Sequence, residues 1–214
     1  MKLLKLLPLL FLFVLTASFS QSKFSLYGNV SIDKAYSTNY FNSPSVRGKR
    51  AFGCSVYGGL YITKHIDILA GVAYTNKGYK LFREIYPIGP IDDYWYTYSY
   101  NYIEIPIAVK LKIVNKRIAI APIGGISYGR LLSLSHENYG DKVNLLETDD
   151  VLSHTYRNAW FTNFGLEIST KISENLQVRV EPKFSYTFSR LNPYAIQQYN
   201  LYLFGVNVGV IKSF

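Results

Sequence analysis

The sequence predicts an all-β protein in which eight antiparallel strands run up and down and close into a barrel. Apolar and polar side chains alternate with a period of two through most of the chain after residue 21, and a helical period is almost absent. The connections between these segments are short and long in strict alternation. All short turns therefore lie at one end of the sheet and all long loops at the other, as in an up-and-down barrel.

The N-terminal segment predicts export. Residues 1–5 are basic, residues 6–15 are apolar, and Ser18 and Ser20 supply the small side chains of a signal-peptidase site, so we expect cleavage before Gln21. The apolar run is short for a membrane span, and a retained anchor is the alternative. No cysteine in this segment could carry a lipid anchor.

The remainder of the chain is predicted to be one domain. Residues 1–20 form the signal peptide, and residues 21–214 form a single β-barrel domain without a composition break or internal repeat. Cys54 is the only cysteine, so no internal disulfide can form. An exported domain of this kind must be held together by strand pairing and packing.

The composition is basic, with a net charge of +9 that becomes +7 once Lys2 and Lys5 leave with the signal peptide. An exported protein does not ordinarily meet nucleic acid, so this charge indicates affinity for anionic lipid headgroups or simply solubility. No metal-ligand spacing, phosphate-binding glycine loop or nucleotide fingerprint occurs in the sequence. We therefore expect no cofactor, no metal and no nucleic-acid partner.

Apolar rows at every second position predict the first three strands. Residues 24–32 alternate Phe, Leu, Val and Ile with Ser, Tyr and Asn. Residues 52–62 alternate Phe, Cys, Val, Leu and Ile with Gly, Ser and Tyr, and residues 66–74 carry a third row of Ile, Ala, Val and Tyr. Each row places its apolar side chains on one face of a strand.

Residues 102–113 predict the fourth strand, which contains a proline. Isoleucine, valine and leucine fill the odd positions from 103 to 113. Pro106 lies among the even positions in the middle of the strand, and it cannot donate a hydrogen bond to a neighbouring strand. We expect a local bulge or a bridging water at Pro106.

Four further rows complete the set. Residues 118–128 form a weaker segment that contains Pro122, and residues 160–168 alternate clearly. Residues 176–188 set Leu, Val, Phe and Tyr against Gln, Arg, Glu, Lys, Ser and Thr, and residues 202–214 end on a phenylalanine. The predicted short turns are 63–65, 114–117 and 171–175, and the predicted long loops are 33–50, 76–98, 131–157 and 190–199.

Two barrel classes share this pattern, and they differ in what the apolar face contacts. In a soluble lipocalin-like barrel the apolar face points inward and binds an apolar ligand, whereas in a transmembrane barrel it meets lipid and the polar face fills the lumen. The strands are long enough to cross a bilayer at a tilt. Large aromatic residues cluster near the strand ends, at Trp160, Tyr186, Phe188 and Tyr202 by the long loops and at Phe24 and Phe214 by the short turns.

The polar faces carry charges of both signs, which suits a lumen better than a water-exposed surface. In a narrow barrel these side chains could pair across the lumen, although isolated charges of this kind are often simply solvated. The predicted lumen charge network consists of Glu104, Lys110, Lys112, Glu167, Arg179, Glu181 and Lys183. The sequence thus predicts a transmembrane barrel in the cell outer membrane, with short periplasmic turns and long extracellular loops.

The fourth strand also carries a family resemblance. The stretch YIEIPIAVKLKI, preceded by YTNKGYKLF and followed by IAIAPIGGISYG, resembles the PorT-like outer-membrane β-barrel domain that is common in Bacteroidota. The motif residues are Tyr102, Glu104 and Pro106. The resemblance covers residues 21–214 and implies a structural or binding role at the cell surface that supports protein secretion or envelope assembly.

The resemblance also concerns the C-terminus. Family members end in an aromatic residue, as Phe214 does here, and this residue is the expected signal to the barrel-assembly machinery. Outer-membrane proteins usually place an apolar residue two positions earlier, where this chain has Lys212. The lysine weakens the signal slightly, although its long side chain could reach the periplasmic interface.

Function is expected at the long-loop end, because a barrel of eight strands is filled by its own side chains and leaves no open pore. Arg47, Lys49 and Arg50 are predicted to contact lipopolysaccharide phosphates, with a solvated loop as the alternative. Residues 84–100 are apolar and aromatic for a loop, so part of them is expected to continue as strand above the membrane and to offer a surface to a partner.

A lipid-modifying enzyme at the rim is the rival interpretation. The third long loop holds residues of the types that make hydrolytic sites: Ser133, Ser135, His136, Asp149, Asp150, Ser153 and His154. A catalytic set needs a base within hydrogen-bonding reach of a nucleophile, which sequence spacing cannot show. We expect no enzymatic activity.

Overall fold

The computed structural model describes ten strands in residues 24–37, 46–83, 94–115, 118–138, 141–144, 157–189 and 200–214. The predicted signal peptide lies outside the described residues. The strands are β1 Phe24–Ser37, β2 Val46–Thr63, β3 Ile66–Arg83, β4 Tyr94–Leu111, β5 Val114–Asn115, β6 Ile118–Asn138, β7 Asp141–Asn144, β8 Asn158–Lys171, β9 Leu176–Thr187 and β10 Leu201–Ser213.

Eight of these strands close into an antiparallel barrel, which confirms the predicted fold class. The strands pair in the order β1, β2, β3, β4, β6, β8, β9 and β10, and β10 returns to β1. Of the two remaining strands, β5 has two residues and β7 has four, and the register gives each of them β6 as its partner. They pair beside the two ends of β6 and are not among the eight strands that close the barrel.

The barrel wall is strongly staggered. A path of register partners around the barrel leaves β2 at Leu60 and returns to the same strand at Arg50, ten residues away. A stagger of ten residues across eight strands corresponds to a strand tilt of about 40°. A row of register partners therefore rises along the barrel axis from strand to strand, so two directly paired residues lie at different heights.

The predicted apolar rows face outward and the polar rows face inward. In β4, Ile105 is 57% exposed whereas Glu104 beside it is 3% exposed. In β1, Val30 and Ile32 are exposed whereas Asn29 and Ser31 are buried. Below the aromatic residues at the upper strand ends, the outward positions of the described strands carry no charged side chain until Lys212.

Strands β3, β4 and β6 extend well beyond the predicted limits. They have 18, 18 and 21 residues, whereas β9 and β10 have 12 and 13. The sequence placed Lys77 and Gly78 in a loop, but both lie inside β3, and Lys77 is 1% exposed. Lys77 is therefore a lumen residue and not a loop residue. The expectation that residues 84–100 continue partly as strand is confirmed by β4 from Tyr94 onward.

The bulge expected at Pro106 is absent. The register from β4 to β6 runs without a shift through Pro106, which lies opposite Ser127. From β4 to β3 the register is the same on both sides of the proline, but the two pairs that would join Pro106 to Gly71 and Ile105 to Val72 are missing. The missing N–H group therefore opens a short gap in one ladder, and the irregularity on β4 lies instead between Asn101 and Tyr102.

Candidate functional site

The structure places all seven predicted lumen charges in ion pairs. Their side chains lie inside the barrel, and the network also includes three residues that sequence reasoning did not select, namely Asp33, Asp67 and Lys77. The pairs are Lys77–Glu104, Lys110–Glu167, Lys112–Asp67, Arg179–Glu167, Arg179–Glu181 and Lys183–Asp33. Each pair joins groups of opposite charge that would be costly to bury alone.

The lower part of the lumen holds a connected network of four charges. Glu167 accepts a hydrogen bond from Lys110 Nζ at 2.6 Å, and its second oxygen lies 3.3 Å from Arg179 Nε. Arg179 also pairs with Glu181. Strands β4, β8 and β9 supply these residues, so the network joins strands that are separate in sequence.

Aromatic and amide groups surround this lower network. Lys110 Nζ also donates to the Tyr27 hydroxyl at 3.3 Å, and the Arg179 guanidinium lies 5.3 Å from the centre of the Tyr27 ring. The Asn207 side chain donates to Glu181 at 3.1 Å. Strands β1 and β10 thus contribute to the same contacts, which connects five of the eight barrel strands through side chains.

The upper part of the lumen is organised around Glu104 of the family motif. Glu104 accepts a hydrogen bond from Lys77 Nζ at 2.6 Å and another from the Ser127 hydroxyl at 2.6 Å. The Thr75 hydroxyl also donates to it. Lys77 Nζ lies 3.2 Å from the centre of the Phe161 ring, so an aromatic face as well as a carboxylate stabilises the buried ammonium.

For one of the three additional residues, the sequence did contain a signal for a position in the lumen. Asp67 follows Ile66 and precedes Ile68, so the period-two rule alone places it on the polar face of the third strand. Asp33 and Lys77 carry the same period, but they lie beyond the expected strand ends. Both residues were assigned to loops, because the sequence pattern did not show that β1 and β3 continue past them.

Three apolar clusters of buried side chains lie inside the lumen among the ion pairs: a small one of Ala35, Ala51 and Leu203, and two larger ones. The upper cluster is rich in aromatic residues and consists of Tyr79, Tyr102, Leu131, Leu134, Ala159, Phe161 and Leu201. The lower cluster consists of Tyr27, Leu69, Ile123 and Ile211. A cavity of about 80 Å³ lies among the described side chains between them, with Glu104, Arg179 and Lys183 in its lining. This volume would hold two or three water molecules.

Of the predicted lipopolysaccharide contacts, two are exposed and one is engaged within the chain. Arg47 and Arg50 are exposed near the upper end of β2. The Lys49 side chain is half-buried and its Nζ donates to Asn76 Oδ1 on β3. Lys34 of β1 lies directly opposite Arg50 and is also exposed. The exposed cations at this rim therefore include a residue that sequence reasoning placed in a loop without selecting it.

The structure groups the aromatic residues at the strand ends. Trp160 packs against Tyr128 with ring centres 5.1 Å apart, and Phe188 is exposed. Tyr186 accepts a hydrogen bond from Asn200. Tyr202 differs from expectation because it is 5% exposed: its ring is covered by Tyr36, which stacks on it. Tyr202 is therefore part of a packed aromatic group and not an isolated lipid contact.

The C-terminal residue closes the lower end of the barrel wall. Phe214 N donates to the Phe24 carbonyl at 2.9 Å, and the two rings lie 6.1 Å apart between centres. Lys212 Nζ lies 5.2 Å from the centre of the Phe214 ring. The lysine that departs from the usual C-terminal pattern thus contacts the terminal aromatic ring directly.

The residues considered for catalysis are only partly described. Ser133 accepts a hydrogen bond from Asn101 at 2.7 Å, and Ser135 is buried in β6. The side chain of His136 and all of Asp149, Asp150, Ser153 and His154 lie outside the described residues. His65 lies at the opposite end of the barrel, where its Nδ1 is 3.4 Å from the Lys112 carbonyl.

Within the described ranges, no group of three or more histidine, cysteine, aspartate or glutamate side chains could hold a metal ion. No helix in that part of the chain is long and apolar enough to span a bilayer. Cys54 is a free, exposed thiol on the outer face of β2.

Comparisons with known proteins agree on the architecture. Residues 8–189 match the family model of the outer membrane protein β-barrel domain. The crystal structure of Neisserial surface protein A is similar with a TM-score of 0.52 at 12% identity, over 89% of this chain and 97% of that one. A major outer membrane protein from Thermus thermophilus is similar with a TM-score of 0.53 at 12% identity, over 90% and 99%. No curated protein sequence matches the chain.

Proposed function

The chain belongs to the outer membrane protein β-barrel domain family, and on that premise we propose that it is a closed barrel that presents a protein-binding surface at the cell exterior. The observation that carries the proposal is the lumen, which is filled by ion pairs and by clusters of buried apolar side chains. Such a lumen holds the barrel together and leaves binding to its outer surfaces.

The extension of β3, β4 and β6 is the proposed binding surface. The upper apolar cluster packs Tyr79 of β3 against residues of β4 and β6, with Tyr98 and Tyr100 packed around it. Tyr79 and Tyr98 stack with ring centres 5.1 Å apart. The described part of the extension is therefore a paired sheet with a packed inner side.

The proposal orients the barrel with this extension outside the cell and the turn at His65 in the periplasm. The partner is a secreted or envelope protein, which agrees with the role that the PorT-like resemblance implies. A non-enzymatic role is part of the proposal, since the described inward carboxylates are occupied in holding strands together. The barrel-assembly machinery is the expected partner of the C-terminal strand during insertion.

Site-specific photo-crosslinking in intact cells tests this function. A photoreactive amino acid at Lys80 or Thr97 would sit on the described part of the extension, where Lys80 is exposed and register-paired with Thr97. We expect a discrete protein adduct at these positions, identified by mass spectrometry. The matched control places the same amino acid at Val208, which is outward-facing and in the apolar belt.

Two outcomes would contradict the proposal. One is an adduct of equal yield at Val208, which would indicate nonspecific capture. The other is the absence of protein adducts at both extension positions together with an adduct at Ile172, which lies in the turn at the opposite end. In the second case the binding surface would be the periplasmic end.

A further inference from the structure

Two like charges face outward from neighbouring strands at the upper rim. Lys34 of β1 and Arg50 of β2 are direct register partners, and both are exposed. Side chains in such a position have Cβ atoms about 5 Å apart, and like charges there destabilise the pairing. No salt bridge joins either side chain to an acidic group among the described residues. A bridging anion would remove the repulsion.

The described acidic side chains cannot supply that anion. Asp33, Asp67, Glu104, Glu167 and Glu181 are buried in the lumen network. Glu174 lies in the β8–β9 turn at the opposite end of the barrel. Glu137 lies near the C-terminal end of β6, which pairs with β4 and β8 and not with β1 or β2. Among the described side chains, the position on β1 and β2 therefore has a local excess of positive charge on the outer face.

An aromatic shelf lies beside the two cations. Tyr36 stacks on Tyr202 with ring centres 5.2 Å apart and planes at 7°, and Tyr202 meets Phe204 edge to face at 5.8 Å. Lys34 Nζ lies 5.4 Å from the centre of the Tyr36 ring. The shelf continues the cation pair along β1 and β10, and its accessible part consists of the half-buried Tyr36 ring and the exposed Phe204 ring.

Gly48 of β2 leaves room for the Tyr36 ring and the Lys34 side chain. A Cβ atom at residue 48 would lie 2.5 Å from Tyr36 Cε1 and 2.9 Å from Lys34 Cε, which is closer than real Cβ contacts. The Tyr36 ring and the Lys34 stem therefore lie directly over the β2 backbone. Only glycine permits this close approach without moving both side chains.

The position of the pair indicates the source of the anion. Lys34 is the register partner of Phe204 on one side and of Arg50 on the other, so the cations sit where the apolar belt ends. Aromatic residues mark the membrane–water interface of transmembrane barrels. The anions that are concentrated at this depth are the phosphate groups of lipids.

We propose that Lys34 and Arg50, with Tyr36 as an apolar support, bind a phosphate monoester of an anionic lipid in the outer leaflet. A monoester carries a charge of about −1.5 to −2 at neutral pH, which matches two adjacent cations better than the single charge of a phosphodiester. This inference rests on the proposed orientation, in which this rim faces the cell exterior. It retains Arg50 from the sequence-based expectation, adds Lys34 and Tyr36, and excludes Lys49, which donates to Asn76.

Native mass spectrometry of the detergent-solubilised barrel, titrated with diphosphoryl lipid A, tests the site. We expect the double variant Lys34→Gln, Arg50→Gln to bind at least about tenfold more weakly than the wild type, since each cation near an anionic lipid surface contributes roughly fivefold. Dephosphorylated lipid A should bind both proteins equally weakly. The control variant Lys64→Gln, Lys171→Gln removes the same charge from exposed positions at the opposite end and should bind like the wild type.

Folding and placement are checked separately from lipid binding. Each variant should migrate as a heat-modifiable barrel and fractionate with the outer membrane, so a failure of the proposed placement cannot be mistaken for loss of the lipid. In detergent without lipid A, the single variant Lys34→Gln should be as stable as the wild type or more stable, because a like-charge repulsion is removed. Addition of lipid A should then stabilise the wild type more than the variant.

Three results would overturn the inference. The first is equal affinity of the wild type and the double variant for diphosphoryl lipid A. The second is equal binding of phosphorylated and dephosphorylated lipid A by the wild type. The third is complete displacement of lipid A by sodium phosphate at equal concentration, which would identify a site for free phosphate without a contribution from the lipid and its aromatic support.

Discussion

Glu104 connects three neighbouring strands of the barrel wall. Its carboxylate accepts hydrogen bonds from Lys77 and Thr75 on β3 and from Ser127 on β6, while its own backbone belongs to β4. A buried carboxylate with several donors is stabilised relative to one with a single ion pair. The motif residue that marks the family resemblance is thus a structural centre of the upper lumen.

Glu104→Gln is expected to destabilise the barrel. The change leaves the Lys77 ammonium, 1% exposed, without its carboxylate partner. Removal of one partner of a buried ion pair typically costs about 3–5 kcal/mol of unfolding free energy. Urea unfolding in lipid vesicles measures the loss, and Glu174→Gln in the exposed β8–β9 turn is the matched control.

A double substitution separates pairing from packing. Lys77→Met with Glu104→Leu removes both charges and retains apolar volume, and we expect it to recover much of the stability that Glu104→Gln loses. A double variant that is no more stable than the single one would assign the effect to the Ser127 and Thr75 hydrogen bonds. An unaltered free energy in Glu104→Gln would contradict the account.

Sequence parity predicts which residues enter the lumen but not which of them meet. The inward positions of Lys110 and Glu167 follow from counting along their strands, because a strand alternates strictly. Their contact at 2.6 Å depends on the register between β4, β6 and β8, which is set by hydrogen bonds across the whole wall. The catalytic hypothesis had no such rule, since loop residues carry no period.

At the scale of single strands, Pro106 shows how β4 tolerates a missing donor. The ladder toward β6 is complete through Pro106, and the gap faces Gly71 of β3. The backbone around Gly71 is closely packed, because a Cβ at that residue would overlap the Val56 carbonyl of β2. The neighbouring strands hold the register on both sides of the gap, so no bulge is needed.

Pro106→Ala is expected to stabilise the barrel by about 1 kcal/mol, because the new N–H group can pair with β3. The larger conformational entropy of the unfolded chain opposes part of this gain. Unfolding free energy gives the net effect, and amide hydrogen exchange reports the new bond directly: the N–H of residue 106 should exchange slowly. Rapid exchange at residue 106 would show that the gap is not closed by a donor.

The strand limits were less predictable than the strands themselves. Tyr94, Tyr96, Tyr98 and Tyr100 recur at every second position, but tyrosine is amphipathic and does not mark its face as apolar or polar, so the period-two contrast weakens there. Gly78 also interrupts the pattern, and its φ of 149° is a conformation that side-chain-bearing residues rarely adopt. A sequence reading treats glycine and proline as loop signals, whereas this wall accommodates both within strands.

At the scale of the whole molecule, closure was predictable and stagger was not. Alternating connection lengths require neighbouring strands to be antiparallel, and eight such strands close most simply on themselves. The displacement of ten residues between Leu60 and Arg50 arises from the sum of all the strand pairings around the wall, each fixed by local hydrogen bonds. The pairing of Lys34 with Arg50 at the rim, by contrast, is set by the β1–β2 ladder alone.

The apolar belt is a property of the closed barrel and not of any single strand. Phe204 and Phe214 are ten residues apart on one outward row, which at the observed tilt spans roughly 25 Å along the barrel axis. This height matches the apolar band of transmembrane barrels. Between them, Val208 faces outward with Val30 and Val180 beside it on the adjacent strands, and all three are exposed.

Val208→Arg tests whether that belt contacts hydrocarbon. An arginine at the middle of the bilayer is expected to cost about 2–4 kcal/mol of unfolding free energy. Ile172→Arg is the matched control, because Ile172 is similarly exposed but lies in the β8–β9 turn beyond the belt, where a charge costs little. Urea titration of both variants in phosphatidylcholine vesicles gives the comparison. If both variants lost the same stability, the outward valines would not face lipid, and the depth of the belt would have to be reassigned.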